Sequence, residues 1–359
     1  MQTYDSQENL LSKTIDFVRF PLIVGVVMIH SGLEDLVDIS QYPVFANISF
    51  LVSRVIALIA VPLFFFISGF LFFYKTNTFT KKLYLTKIKR RIHTLLIPYI
   101  FWNIIIVIGY FIIQTLLPNL MFGEIKFVSD YSFRDWIAIF WDSANGNVPI
   151  NTALWFIRDL MVVCCLSPLV YWLIKKLDIL IIIILGVLYV TDIWIDIPGL
   201  SIACVFFFSA GAYFSITKKN FIQLLTPDKY KSYLLTYIII ALMCLYINDI
   251  HLDGQKWGGV LNRLTGIAAV ISTSAYFIRK GKWAPNSFLT SSAFFIYSYH
   301  LTLAFIRKYI VNLLQPHSEI ALLGIYLLWP TFIICLGLVL YYLMRRFVPK
   351  FTAVITGGR

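Results

Sequence analysis

Apolar runs of roughly 18–25 residues recur along the whole chain, each long enough to cross a ~30 Å hydrocarbon core as a helix. They fall at about 14–35, 48–74, 92–117, 152–174, 178–195, 199–216, 231–248, 258–279, 288–313 and 319–345. Short polar loops separate them. The chain is 59% hydrophobic and only 13% charged, with a mean hydropathy of +0.80. A soluble domain cannot hide that much apolar surface. The expected fold is all-α, a polytopic membrane protein of about ten transmembrane helices forming one domain over residues 1–359. No internal repeat and no low-complexity tract interrupts it.

The net charge of +12 is not a nucleic-acid patch, because the basic residues follow the loops. Lys75, Lys81, Lys82, Lys87, Lys89, Arg90 and Arg91 crowd the second loop. The loops after the fourth, sixth and eighth runs and the C-terminal stretch are basic as well. The intervening loops hold Glu34, Asp35, Asp38, Glu124, Asp130, Asp135, Asp142, Asp192, Asp196, Asp249, Asp253 and Glu319. The positive-inside rule then predicts both termini in the cytoplasm. MQTYDSQENLLSK lacks a cleavage signal, so the first run is expected to stay as a span. Residues 120–150 form an outer connection, in which SFRDWIAIFW has the pattern of an interfacial helix with Trp136 and Trp141 at headgroup level. A plain surface connection is the alternative. Cys164, Cys165, Cys204, Cys244 and Cys335 all fall in apolar runs and are expected to be buried fillers, with no disulfide framework and no metal spacing.

The polar residues inside the runs carry the functional signal. Arg19 and His30 are both in the first run. Eleven positions is about three helical turns, which puts both on one face, roughly 16 Å apart along the axis. Ionisable groups at membrane depth are costly and mark function by default. An imidazole can serve as a base near neutral pH and is cheaper to bury than a fixed charge. On the predicted topology Arg19 lies toward the cytoplasmic leaflet and His30 toward the outer half. Arg54, Trp155, Arg158, Asp159 and Arg263 lie toward the outer side. His300 is near the middle of the ninth run, with Arg307 and Lys308 above it. Such a set cannot face lipid, so the helices are expected to enclose it.

Three further stretches stand out. In VPLFFFISGFLFFYK (61–75), Pro62 predicts a kink, and Ser68-Gly69 allows close helix approach or a ligand contact. In KIKRRIHTLLIPYIFW (87–102), basic residues run into a helix broken by Pro98. This reads either as a lipid-phosphate anchor or as a clamp for a phosphorylated donor. In LWFIRDL (154–160), Arg158 and Asp159 are neighbours on a helix, about 100° apart, and are expected to pair across helices rather than with each other.

Taken in order, these stretches resemble the acyltransferase-3 family of integral-membrane acyltransferases. The matching residues are Arg19 and His30; Phe65, Phe66, Ser68, Gly69 and Phe70; Arg90, Arg91, Pro98 and Tyr99; Leu154, Trp155 and Phe156; Phe207, Phe208, Gly211 and Ala212; and Tyr297 and His300. The resemblance covers essentially the whole chain. It implies a multi-pass protein of the cytoplasmic membrane that moves acetyl, or secondarily succinyl, from acyl-CoA to a hydroxyl of a carbohydrate or glycolipid. Acyl-CoA is then a co-substrate, and no bound cofactor or metal is implied. No fused esterase-type domain follows in this sequence, so transfer is expected not to depend on one.

On that resemblance His30 is the base, Arg19 meets the pantetheine or thioester end, and Lys87, Lys89, Arg90, Arg91 and Ser68 hold the donor. A pantetheine arm, roughly 15–20 Å extended, is long enough to reach His30 from the basic cluster. Glu34 is placed to orient His30 if the helix continues past Gly32, with Asp35 as its substitute. Arg54, Trp155, Arg158, Asp159, Arg263 and His300 face the acceptor. A transporter or flippase, or a relay that hands the acyl group to a partner, is the rival reading. Against a transporter, the sequence shows no inverted repeat and no paired broken helices. The acceptor and the oligomeric state are left open by the sequence.

Overall fold

The computed structural model describes residues 2–116, 118, 126–143, 146–195, 197–249 and 255–358. Glu124, Asp196, Asp253 and part of the 120–150 connection lie outside the described residues. Among the described residues every regular element is helical. Helix α1 (Gln2–Ile29) comes first. α2 (Pro43–Ser49) passes through a π-helical turn (Phe50–Ile56) and a 3-10 turn (Ala57–Ile59) into α3 (Ala60–Phe73). α4 (Lys81–Arg91) passes through a second π-helical turn (Ile92–Leu96) into α5 (Ile97–Leu116). The short α6 (Phe133–Ala138) precedes α7 (Trp155–Cys165), α8 (Ser167–Leu177), α9 (Ile179–Thr191), α10 (Ile202–Ile216) and α11 (Phe221–Leu224). The chain ends with α12 (Tyr230–Asp249), α13 (Gln255–Arg279), α14 (Ser287–Tyr299), α15 (Ala304–Leu314), α16 (Glu319–Phe347) and α17 (Pro349–Ile355).

Among the described residues, four helical stretches are long and apolar enough to cross a membrane: Pro43–Phe73, Lys81–Leu116, Pro227–Asn248 and Glu319–Phe347. The number rises to six if each of two bent pairs is one crossing. α7 and α8 meet at 62°, and α14 and α15 at 67°. These two breaks correct the expectation of no paired broken helices. The first was written locally, since Pro168 stands in the first turn of α8, where proline is tolerated. The second contains neither Pro nor Gly. It is held instead by tertiary hydrogen bonds: Tyr297 Oη to the Ala153 carbonyl (2.5 Å) and Asn151 Nδ2 to the Ser298 carbonyl (3.0 Å). α9 and α10 are apolar but shorter, at 13 and 15 residues.

The core is aromatic and built on close backbone approach. A Cβ added at Gly69 of α3 would fall 1.9 Å from the Phe208 carbonyl oxygen of α10, and one at Gly211 1.9 Å from that of Phe66. Reciprocal glycines let these two helices touch backbone to backbone, as small residues do at helix interfaces in lipid. Pro62 falls in the first turn of α3, just after the two irregular turns, so the strain it imposes is absorbed before the helix regularises. α1 runs through the centre and packs on α3, α13, α14 and α16. The outward faces stay apolar: Ile183 is 55% exposed, Leu235 59% and Leu328 70%. A soluble protein would not leave such a belt open, and lipid accepts it.

Two expectations change here. Cys165 and Cys335 are exposed, not buried, because they lie on outward faces; all five cysteines are free. α1 ends at Ile29 and does not run on to 35, so Glu34 is not stacked one helical turn beyond His30.

Candidate active site

α1 presents Arg19, Ile23 and Val26 to a cavity of about 510 Å³. The spacing of four and then three is one stripe of a helix, and His30 is the next position on it. Opposite that stripe, α3 supplies Ser68, α4 supplies Lys87, Arg90 and Arg91, and α14 supplies Thr290 and Tyr297. Three members of the basic cluster and Arg19 converge on one space. The second π-helical turn, followed by Pro98, sets this up. It leaves the Thr94 carbonyl outside the regular ladder, and Gly357 (φ +70°) packs its backbone there, where a Cβ would fall 2.3 Å from that oxygen. Gly357 and Gly358 thus line the basic cavity, a placement that no local pattern in the sequence signals.

The cations in this cavity are only partly committed elsewhere. Arg19 pairs with Asp16 at 3.0 Å, a half-exposed contact of small energetic weight. Lys87 donates to the Phe72 carbonyl and lies 5.3 Å from the Phe72 ring centroid, with Arg91 at 5.7 Å from the same ring. Lys89 is exposed and outside the lining, because α4 turns it to the opposite face.

A second cavity, about 550 Å³, opens beyond the other end of α1. Glu34, Arg54, Asn262 and Arg263 line it. The first π-helical turn carries Arg54, and its bulged backbone is held by Asn262 Nδ2 on the Val55 carbonyl (2.7 Å) and by Ser53 Oγ on the Met28 carbonyl (2.7 Å). The Ser53 hydroxyl also meets Tyr326 Oη at 2.7 Å. The Arg263 guanidinium lies 5.6 Å from the Tyr189 ring centroid.

His30 stands in the turn after α1, half-buried, and is in the lining of neither cavity. Its ring centroid is 5.3 Å from that of His300. Its backbone carbonyl accepts from Arg307 Nη1 at 3.0 Å, and the same nitrogen donates to the Gly32 carbonyl at 2.5 Å. The sequence noted Arg307 only as lying above His300; its ionisable head in an apolar run was the one available signal. Among the described residues no hydrogen bond joins Glu34 or Asp35 to the His30 ring. Glu34 instead faces the second cavity, and Asp35 lies 4.0 Å from Arg307 and 3.8 Å from Lys308.

The prediction for LWFIRDL also changes. Arg158 and Asp159 do pair with each other, through Nε and Nη2 to Oδ1 at 3.1 and 3.0 Å, both nearly fully buried. The Arg stem is long enough to fold back over the 100° between them. Each is also tied across the fold: Arg158 Nη1 donates to the Trp141 and Asn147 carbonyls (2.6 and 3.0 Å), and Asp159 Oδ2 accepts from the Ser201 N–H (3.3 Å). Trp155 packs on Phe65 at 6.1 Å. Arg158 ties Trp141 and Asn147 to α7, Asp159 ties the start of α10 to it, and Trp155 packs α7 on α3; none of the three lines either cavity.

Residues 12–346 match a family model described as an acyltransferase domain. The chain belongs to the acyltransferase-3 family. It is an acyltransferase. Among the relatives of this family member is the succinoglycan biosynthesis protein ExoH of Rhizobium meliloti, 24% identical over 97% of this chain and 93% of that one. No solved structure matches the chain at a significant level.

Proposed function

We propose that this acyltransferase moves a short acyl group, acetyl first among them, from acyl-CoA to a hydroxyl of a carbohydrate or glycolipid, with His30 as general base. The observation that carries the reading is the convergence of Arg19, Ser68, Lys87, Arg90 and Arg91 on one cavity whose lining on α1 extends from Arg19 to Val26, about one turn short of His30. Guanidinium forks suit phosphate geometry, so the basic residues suit the phosphates of CoA, and the apolar lining of Ile23, Val26, Phe64 and Phe294 suits a pantetheine arm. On this reading the chain crosses the cytoplasmic membrane about ten times with both termini inside, as the loop charges favour. The basic cavity then opens to the cytoplasm, and the cavity of Glu34, Arg54 and Arg263 opens to the acceptor. The name of the relative, a polysaccharide biosynthesis protein, supports a carbohydrate acceptor.

The chemistry runs as follows. The acceptor hydroxyl gives its proton to one ring nitrogen of His30 as its oxygen bonds to the thioester carbonyl carbon. The resulting oxyanion collapses, the C–S bond breaks, and the leaving thiolate takes the proton back from the imidazolium. Acceptor ester and free CoA thiol result, and the base is regenerated.

The test uses purified protein in nanodiscs with labelled acetyl-CoA and a polysaccharide acceptor. Wild type transfers label; His30→Ala retains its fold and its donor binding but loses transfer. Transfer by His30→Ala at the wild-type rate would exclude the base role. The two bent helix pairs favour one second reading, a transporter or relay, since broken helices line such paths. It predicts no ester product from purified protein and acceptor without a partner.

A further inference from the structure

We infer that His300 is a positioning residue for His30: its Nε2 is the acceptor for the one His30 N–H that remains when the other ring nitrogen works as base. This rests on the base role proposed for His30. His300 is 4% exposed and lies at the break between α14 and α15. Its Nδ1 is 2.6 Å from the Tyr297 carbonyl oxygen. A carbonyl only accepts, so Nδ1 carries the proton, and in a neutral ring Nε2 is then a bare lone pair. That Nε2 is buried and has no hydrogen-bond partner. An unmet acceptor in the interior of a protein is costly and rare.

The ring next to it is that of His30, with centroids 5.3 Å apart and planes tilted by 46°. A ring N–H···N hydrogen bond between two imidazoles sets the centroids about 5 Å apart, given a heavy-atom distance near 2.9 Å plus the two ring radii. The centroid separation is close to that of a bonded pair, and the proposal has the His30 ring turn about its Cβ–Cγ bond to aim an N–H at Nε2. The rest of the setting is rigid. Tyr297 is pinned by its hydroxyl to the Ala153 carbonyl (2.5 Å), and Arg307 grips the carbonyls on either side of Ser31 (3.0 and 2.5 Å). Bonded in this way, His30 has one tautomer, with its free lone pair on the nitrogen away from His300. When that nitrogen takes the acceptor's proton, the imidazolium N–H on the other side still donates to Nε2 of His300. No proton leaves His300. The arrangement is that of a base steadied by a fixed second group, with an imidazole in the place a carboxylate often fills.

The amide replacements separate this from a merely structural role. Asn at 300 retains a donor for the Tyr297 carbonyl but has nothing at the Nε2 position. Gln places an amide oxygen close to that position. In nanodiscs, His300→Asn is expected to lower kcat for acetyl transfer by about 10–100-fold with KM for acetyl-CoA unchanged. His300→Gln is expected to recover most of that loss. In a His30→Ala background, His300→Asn is expected to change the residual rate less than twofold. Wild-type kcat in His300→Asn overturns the inference, as does equal loss in Asn and Gln, or a full further loss in the double variant. If His30→Ala itself transfers normally, the base assignment fails, a result distinct from His30→Ala being dead while His300→Asn is unaffected.

Discussion

Arg307 of α15 donates to the backbone carbonyls of His30 and Gly32 at 3.0 and 2.5 Å, tying the far end of the fold to the turn that follows α1. The first of these carbonyls lies at the C-terminal end of α1, where orphan oxygens and the macrodipole both favour a cation, and the second belongs to the turn beyond it. Arg307 is 7% exposed, and its nearest acid, Asp35, is 4.0 Å away. Its charge is spent on holding the His30 backbone in place.

Removing that grip should misplace the imidazole. Arg307→Met is expected to cost about 1.5–3 kcal/mol of stability per lost charged hydrogen bond and to lower kcat, with acetyl-CoA affinity retained. Thermal unfolding and steady-state kinetics on the same preparation check this; an unchanged melting temperature and kcat would show that the turn holds itself.

The basic cavity makes a salt-sensitive prediction. Arg90→Gln and Arg91→Gln are each expected to raise KM for acetyl-CoA by roughly tenfold, one lost charge-assisted contact being worth about 1.4 kcal/mol. Lys89→Gln, on the outward face of α4, is expected to leave KM within twofold. Isothermal titration at two salt concentrations reads the difference directly.

The buried Arg158–Asp159 pair predicts a stability effect without a direct contribution to the chemistry. Asp159→Asn leaves a buried guanidinium short of its counter-charge and should cost about 3–5 kcal/mol. Replacing both residues with apolar side chains of similar volume should recover much of this. Denaturant or thermal unfolding of the single and double variants measures the difference.

Close approach of α3 and α10 predicts intolerance at Gly69. Gly69→Ala places its Cβ against the Phe208 carbonyl and should destabilise by about 3 kcal/mol or more. Gly109→Ala, where nothing lies within 4 Å of the added carbon, should be neutral or slightly stabilising. Melting temperatures of the two variants settle whether backbone contact is the reason for the first glycine.

A pH prediction comes from the N-terminal part of α1, outside the apolar run. The Glu8 carboxyl is held below the usual range by hydrogen bonds from Lys75 and Tyr74. A depressed folded value means the tie contributes fully above the unfolded carboxylate range and is lost as pH falls through the folded value. Protection of the amides at the start of α1, taken relative to the intrinsic exchange rate at each pH, should fall on acidification below about pH 4, and Glu8→Gln should abolish that dependence.

The sequence by itself determined the class of molecule. Apolar runs of crossing length force helices, because a backbone in lipid must satisfy its hydrogen bonds within the segment. It also placed Arg19 on a stripe with His30 and assembled Arg90 and Arg91 near a proline break, since helical periodicity and proline act over a few residues. Tertiary structure alone decided the rest. The α14–α15 break, the pairing of Arg158 with its neighbour, the grip of Arg307 on His30 and the folding of Gly357 onto Thr94 all depend on partners far away in the chain. A helix leaves its end groups and long side chains several places to go, and only the packing of other helices selects one. The same reason took Glu34 away from His30: α1 stopped at Ile29, and the turn that followed carried the carboxylate to the second cavity.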